Sequence, residues 1–211
     1  MIRIVLADDH TIVREGLKQL LGAAGDLSVV GEAQDGHKVM ELVRTQDFDV
    51  LLLDMSMPGR SGIELIKQVL SEKPRLRVLI LSMHEEQQYA VRAIRAGAAG
   101  YLTKESASEQ LVSVIRKVAA GGAFISPAVA EQLALGAMPQ NEGLPHTSLS
   151  DREYQVFQAL AAGKTVSEIA AQLNLSVKTV STHKARLMQK MSLPNQAELI
   201  RYALTHKLVN A

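Results

Sequence analysis

The sequence predicts an α/β chain: a five-stranded parallel, doubly wound sheet followed by a small all-α domain. Three observations predict it. Five short runs rich in Val, Ile and Leu alternate with five stretches whose apolar residues recur at three- and four-residue steps, all within about the first 120 residues. Between residues 127 and 148, Pro127, Gly136, Pro139, Asn141, Gly143 and Pro145 crowd together and the apolar period fades after Leu135, which is linker composition. Charge divides at the same place. From Thr147 to Ala211 eight Lys and Arg face four Asp and Glu, a net +4, while the remainder carries 15 basic and 18 acidic residues, a net −3.

The first strand is expected at 2–7, and a helix at 10–24 follows it. The second strand, 28–33, leads to a helix at 35–46, and the third, 50–54, to one at 61–70. The fourth, 77–82, precedes a helix at 86–96, and the fifth, 100–103, one at 108–120. The strands are nearly continuous in apolar residues, as strands covered on both faces are. Ser61 with Glu64, and Ser106 with Glu109, have the spacing of capping boxes that start the third and fifth helices. Parallel neighbours need right-handed crossovers, which the helices supply. A sheet of this kind gathers its site at the carboxyl ends of its strands.

Composition narrows the chemistry. The 211 residues are 47% hydrophobic and 21% charged, with net charge +1, which suits two ordinary soluble domains. No apolar run nears the roughly 18 residues of a membrane span, and Met1 leads into a strand instead of a basic leader, so no membrane association and a cytoplasmic location are expected. The absence of Cys excludes disulfides, thiolate catalysis and Cys-ligated zinc, and six scattered His leave oxygen-ligated metals as the plausible class. Four Tyr, three Phe and no Trp argue against RNA readers that stack bases on an aromatic sheet.

The strand ends carry the chemistry. The first ends in Asp8 and Asp9, the third in Asp54, the fourth in Ser82, and the fifth is followed by Lys104. Three carboxylates on one rim repel one another and resist ionisation unless a cation neutralises them. Mg²⁺ fits, because it accepts one or two carboxylates together with a phosphoryl oxygen. Asp54 would be the nucleophile that forms an acyl phosphate, with Lys104 and the Ser82 hydroxyl holding the transferred oxygens. Taken singly, each residue has a plainer role: Asp8 and Asp9 could cap the next helix, Asp54 could be a turn residue, and Ser82 and Lys104 ordinary polar strand ends. Four strand ends with the right chemical types together favour the phosphoacceptor reading.

This arrangement resembles the receiver domain of bacterial two-component response regulators, a flavodoxin-like fold. The resemblance covers Met1 to about Ala123 and rests on Asp8 and Asp9, on Asp54 with Met55, Ser56, Met57, Pro58, Gly59 and Gly62, on Ser82, and on Gly100 to Lys104. It implies that Asp54 accepts a phosphoryl group from a sensor histidine kinase. It implies further that Asp9, Asp54 and the Ser56 backbone carbonyl hold Mg²⁺, with Asp8 acting through water. Ser82 and Tyr101 resemble the switch pair, in which the hydroxyl turns to the phosphoryl and the ring moves into the vacated space. Tyr101 could equally be a half-buried edge aromatic.

Four helices are expected in the second domain, near 151–162, 166–173, 177–190 and 195–207. Ser150 with Glu153 and Thr165 with Glu168 have capping-box spacing, and Ser176 starts the third helix. The short connection at Asn174, Leu175 and Ser176 has the form of a helix-turn-helix, whose later helix enters the major groove. Val180, Leu187 and Met191 should face inward. The other face carries Lys178, Thr179, Ser181, Thr182, Lys184, Ala185, Arg186 and Lys190, long cations for phosphate among short groups that admit base edges. A basic helix face can also be merely solvated. Residues 149–153, 163–170 and 175–183 together resemble the LuxR/NarL-type DNA-binding domain. The resemblance implies DNA contacts from Lys178, Thr179, Ser181, Thr182, Lys184 and Arg186, packing or phosphate contact by His183, and dimerisation through the last helix.

The combined expectation is a NarL/FixJ-type response regulator: a receiver at 1–123, a linker with a short helix at 124–146, and a DNA-binding domain at 147–211. It is expected to be a regulator and not an enzyme. Phosphorylation would shift a two-state surface and favour a homodimer that reads a pseudo-palindromic site on double-stranded DNA. Two alternatives stand beside it. A phosphoaspartate enzyme of the haloacid dehalogenase type would want a second Asp where Ser56 stands, and a cap that these short loops do not supply. A DNA-binding regulator could also use its receiver only as a phosphorylation-independent dimerisation module.

Overall fold

The computed structural model of the chain describes residues 1–55, 57, 62–82, 87–135, 144–173, 175–206 and 208–209. These form two compact units, Met1–Leu133 and Ala134–Ala211. In the first, β1 (Ile2–Ala7), β2 (Leu27–Ala33), β3 (Val50–Asp54), β4 (Arg77–Ser82) and β5 (Gly100–Thr103) make one sheet of order β2-β1-β3-β4-β5, every neighbouring pair parallel. The crossovers are α1 (Thr11–Gly22), α2 (Gly36–Thr45), α3 (Gly62–Glu72) and α4 (Gln87–Arg95), and α5 (Lys104–Ala119) follows β5.

The sheet is buried on both faces because its apolar residues alternate between two cores. Val5, Ala7, Leu51, Leu53, Val78 and Ile80 face one cluster, closed by Val39, Ile63 and Ala93 of α2, α3 and α4. Ile4, Leu6, Val50, Leu52, Leu79 and Leu81 face the other, closed by Leu21 of α1 and Leu111, Ile115 and Val118 of α5. With both faces filled, the reactive groups can reach solvent only at the strand ends.

Strand bounds agree with expectation except that β2 begins at Leu27. The larger difference is α5, which starts at Lys104 and not near residue 108, because nothing between Thr103 and Ser108 is a Gly or Pro that would break it. The expected box at Ser61 and Glu64 lies partly outside the described residues, as do the side chains of Ser106 and Glu109.

The segment expected as linker divides. Its short helix, α6 (Pro127–Leu135), is present. Phe124 pairs with the β5 edge: its N–H donates to Ala99 O at 2.9 Å, and its carbonyl accepts from Tyr101 N–H at 3.2 Å. Val129 of α6 is buried with Ala90 and Val91 of α4, beside Tyr101. The first unit therefore reaches Leu133, ten residues beyond the expected boundary at 123.

The second unit opens with a 3₁₀ turn at Pro145–Ser148 and continues as α7 (Asp151–Ala161), α8 (Val166–Leu173), α9 (Val177–Lys190) and α10 (Gln196–Thr205). Both expected capping boxes form: Ser150 and Glu153 bond each other's backbone N–H, and so do Thr165 and Glu168. Phe157, Leu160, Ile169, Val180, Leu187, Leu199 and Ala203 make its core. No helix among the described residues is long and apolar enough to cross a membrane.

Candidate functional site

Parallel registry brings the polar residues to one rim. Ala7 lies opposite Leu53, Asp54 opposite Leu81 and Ser82 opposite Thr103, so the chain leaves β1, β3, β4 and β5 along one edge. Asp8, Asp54 and Ser82 are buried there, while Asp9 stays exposed.

Lys104, the first residue of α5, closes the group by donating from Nζ to Asp8 Oδ2 at 2.6 Å and to Asp54 Oδ2 at 2.9 Å. Burial works against its charge, yet the hydrogen bonds and charges of Asp8 and Asp54 outweigh burial and hold its pKa above the ordinary lysine value. One cation thus holds two buried carboxylates together.

The acidic pair is not spent on capping. His10 is the N-cap of α1 and makes no side-chain cap bond, and Asp8 Oδ1 accepts instead from the His10 backbone N–H at 2.8 Å. The His10 ring reaches Asp8 Oδ1 at 3.1 Å and Asp9 Oδ1 at 3.0 Å. Ligand atoms of Asp8, Asp9, His10 and Asp54 lie within 4.8 Å of one another. Three carboxylates with one Lys retain an excess of negative charge, and their oxygens suit a hard divalent cation.

On α9 the inward set is as expected, with Val180, Leu187 and Met191 buried. Lys178, Ser181, Thr182 and Arg186 are exposed on the outer face, and Thr179 and Lys184 are half-buried. Ser176 caps the helix by accepting from the Thr179 N–H at 3.0 Å. His183 Nδ1 is buried with no hydrogen-bond partner among the described residues, which fits packing.

Residues 4–116 match the family model of the response regulator receiver domain, and residues 147–203 match that of the luxR family of bacterial regulatory proteins. The chain belongs to the NarL/FixJ-type response regulators. Response regulator UvrY of Escherichia coli is 38% identical over 212 residues, which span 100% of this chain and 97% of that one. Response regulator GacA of Pseudomonas aeruginosa is 39% identical over 212 residues, 100% of this chain and 99% of that one. Among solved structures, the Salmonella typhimurium RcsB response regulator superposes with a TM-score of 0.72 at 28% identity, covering 97% of each chain. A second RcsB structure, bound to promoter rprA in the presence of the phosphomimetic BeF3−, gives 0.66 at 29% identity over 96% of this chain and 98% of that one. The protein is a two-component response regulator with a LuxR-type DNA-binding domain, and it regulates transcription.

Within this response regulator the structure brings Asp8, Asp9, Asp54 and Lys104 together and sets Ser82 on the same rim. Ser56 lies outside the described residues. Tyr101 is half-buried, one residue before the last of the strands' buried positions, and packs beside α4 and α6. Lys190 does not belong to the free outer face of α9: its Nζ donates to Glu153 Oε2 at 2.7 Å. Lys184 is partly committed as well, donating to Gln196 Oε1 at 2.8 Å. Helical spacing sorts faces but does not reveal partners on other helices. Sequence reading also missed Arg14, whose guanidinium donates to the Asp8 backbone carbonyl at 2.6 Å. No residue-type pattern signals a bond to a carbonyl.

Proposed function

We propose that Asp54 is the phosphoacceptor and that phosphorylation, with Mg²⁺, switches dimerisation and DNA binding. The observation that carries this is the buried Asp54 carboxylate, paired at 2.9 Å with Lys104 on a rim where Asp8, Asp9 and Asp54 converge. A sensor histidine kinase is the proposed donor. An Asp54 oxygen attacks phosphorus, the bond from phosphorus to the donor imidazole nitrogen breaks, and that nitrogen takes up a proton. Asp9, Asp54 and the Ser56 carbonyl would hold Mg²⁺, with Asp8 acting through water; the ion supplies countercharge to carboxylates and phosphoryl oxygens alike.

Lys104 is charged at neutral pH and turns from Asp54 to the phosphoryl group, joined by the Ser82 hydroxyl. The modification adds nearly two negative charges at a buried position. We read Ser82 and Tyr101 as the pair that relays this to the surface of α4 and β5. On the output side Lys178, Thr179, Ser181, Thr182, Lys184 and Arg186 are the proposed DNA contacts. Two recognition helices in a homodimer would read a pseudo-palindromic site.

The test is intact mass and size-exclusion elution of the full chain with Mg²⁺ and acetyl phosphate, wild type against Asp54→Ala. A single phosphoryl adduct that requires Mg²⁺ and Asp54 and moves the protein toward dimer is the expected result. An adduct that persists in Asp54→Ala removes Asp54 as acceptor. Dimerisation without any adduct would instead favour a phosphorylation-independent assembly module.

A further inference from the structure

The Arg14 guanidinium faces inward over the acidic loop and not toward solvent, its side chain only 12% exposed. Nη1 donates to Asp8 O at 2.6 Å, Nε to Glu32 Oε2 at 3.1 Å and Nη2 to Thr11 Oγ1 at 3.4 Å. Glu32, near the end of β2, is fixed from its other oxygen by Lys18 Nζ at 2.8 Å. The Asp8 N–H is bonded in turn to Ala33 O at 3.1 Å.

We propose that Arg14 is a positioning residue for divalent-cation binding: by holding the Asp8 carbonyl it sets the Asp8–Asp9 peptide plane, and with it the position of the Asp9 Cα from which that carboxylate projects. This rests on the reading that Asp9 helps hold Mg²⁺. The peptide unit is planar, so a carbonyl fixed at one end fixes the path of the chain into the next Cα. Asp8 needs no such help, because its carboxylate is already held by His10 N–H and Lys104. Asp9 does: it is the exposed member of the acidic pair, and its carboxylate lies 3.0 Å from the ring of its neighbour His10, which is itself exposed. Arg14 positions it through the backbone. The guanidinium charge is offset by Glu32, so its main effect on a cation is geometric.

The experiment uses the full chain as wild type, Arg14→Met, Arg14→Lys and Glu32→Gln. Mg²⁺ affinity is measured by calorimetric titration, the melting temperature is taken without metal, and phosphorylation by acetyl phosphate is followed by intact mass across Mg²⁺ concentrations. Arg14→Met should weaken Mg²⁺ binding by at least about tenfold, as loss of a group that orients a metal ligand does. The Mg²⁺ concentration for half-maximal phosphorylation should rise in parallel, while the rate at saturating Mg²⁺ stays near wild type. Arg14→Lys should fall between, since its single ammonium is drawn to the Glu32 carboxylate and holds Asp8 O only part of the time. Glu32→Gln should change little, because the Asp8 contact survives.

A role in fold stability alone would lower the melting temperature and leave the Mg²⁺ dependence unmoved, and that result overturns the proposal. So does a lower rate at saturating Mg²⁺ with unchanged affinity. Should Arg14→Met not fold, Arg14→Lys decides: weakened affinity supports the role, wild-type affinity refutes it. A wild type that binds no Mg²⁺ would sink the metal reading and this proposal together, an outcome distinct from a wild type that binds and an Arg14 variant that binds equally well.

Discussion

At the sheet rim Lys104, Asp8 and Asp54 have side chains 10%, 4% and 1% exposed and share one cation; on α9, Lys178 and Arg186 stand in solvent. The first arrangement takes charge out of water, so each group is stable only while its partners remain. The second leaves charge hydrated, so each cation acts nearly alone and is screened by salt. Loss of one member should therefore be close to all-or-none at the rim and graded on the helix.

The largest effect is expected from Lys104→Met. It leaves Asp8 and Asp54 buried side by side without their cation, which should cost about 3 kcal/mol in urea denaturation at neutral pH. Phosphorylation at Asp54 should be lost, and Mg²⁺ should stabilise this variant more than the wild type, because the ion restores the missing countercharge. Equal stability of the two proteins would show that the rim is not electrostatically coupled.

Smaller, graded effects are expected on DNA. Lys178→Ala and Arg186→Ala should each weaken binding to a selected operator across sequences and reduce the salt slope by about 1. Lys184→Ala should do less, because Gln196 already holds that ammonium, and Lys190→Ala should leave affinity unchanged, because Glu153 holds it on the protein. A collapse of binding on loss of Lys178 alone would break the contrast with the rim.

What was legible in the sequence follows the same division. The alternation of strand and helix, the carboxylates at strand ends and the inward stripe of α9 are written in residue type and period, so β1, β3, β4 and β5 and the rim residues could be read directly. Three things could not. Arg14 acts on a carbonyl, to which any residue could contribute, and its acidic partner Glu32 lies 18 positions away. Lys190 has a basic residue's pattern on a helix face, but its partner is 37 positions away on another helix. Linker composition begins at Pro127, yet Phe124 and Val129 of α6 pack on the first unit, since one residue outside any regular element and one short helix carry too little period to show which unit they join.

The smallest effect tests a place where the second unit imitates the rim. Glu153 is buried at the start of α7, where it accepts from the Ser150 backbone N–H at 2.8 Å and from Lys190 at 2.7 Å. Burial disfavours its charge, but Lys190 and the Ser150 bonds outweigh that and hold its pKa below the ordinary value of 4.5. A carboxylate with a depressed folded pKa contributes stability that is complete above the unfolded value and is lost as pH falls through the folded one. Wild type should accordingly lose more stability than Glu153→Gln in urea denaturation on going from neutral pH to about pH 4 and below, where the Glu153 carboxylate is being protonated. Lys190→Met should cost under about 1 kcal/mol at neutral pH, because that ammonium is 42% exposed and water replaces much of what the pair provides. One buried carboxylate with a solvated partner is thus a weaker device than two carboxylates around a buried lysine. If Glu153→Gln followed the wild-type pH profile, the charge at Glu153 would be contributing nothing that its capping geometry does not.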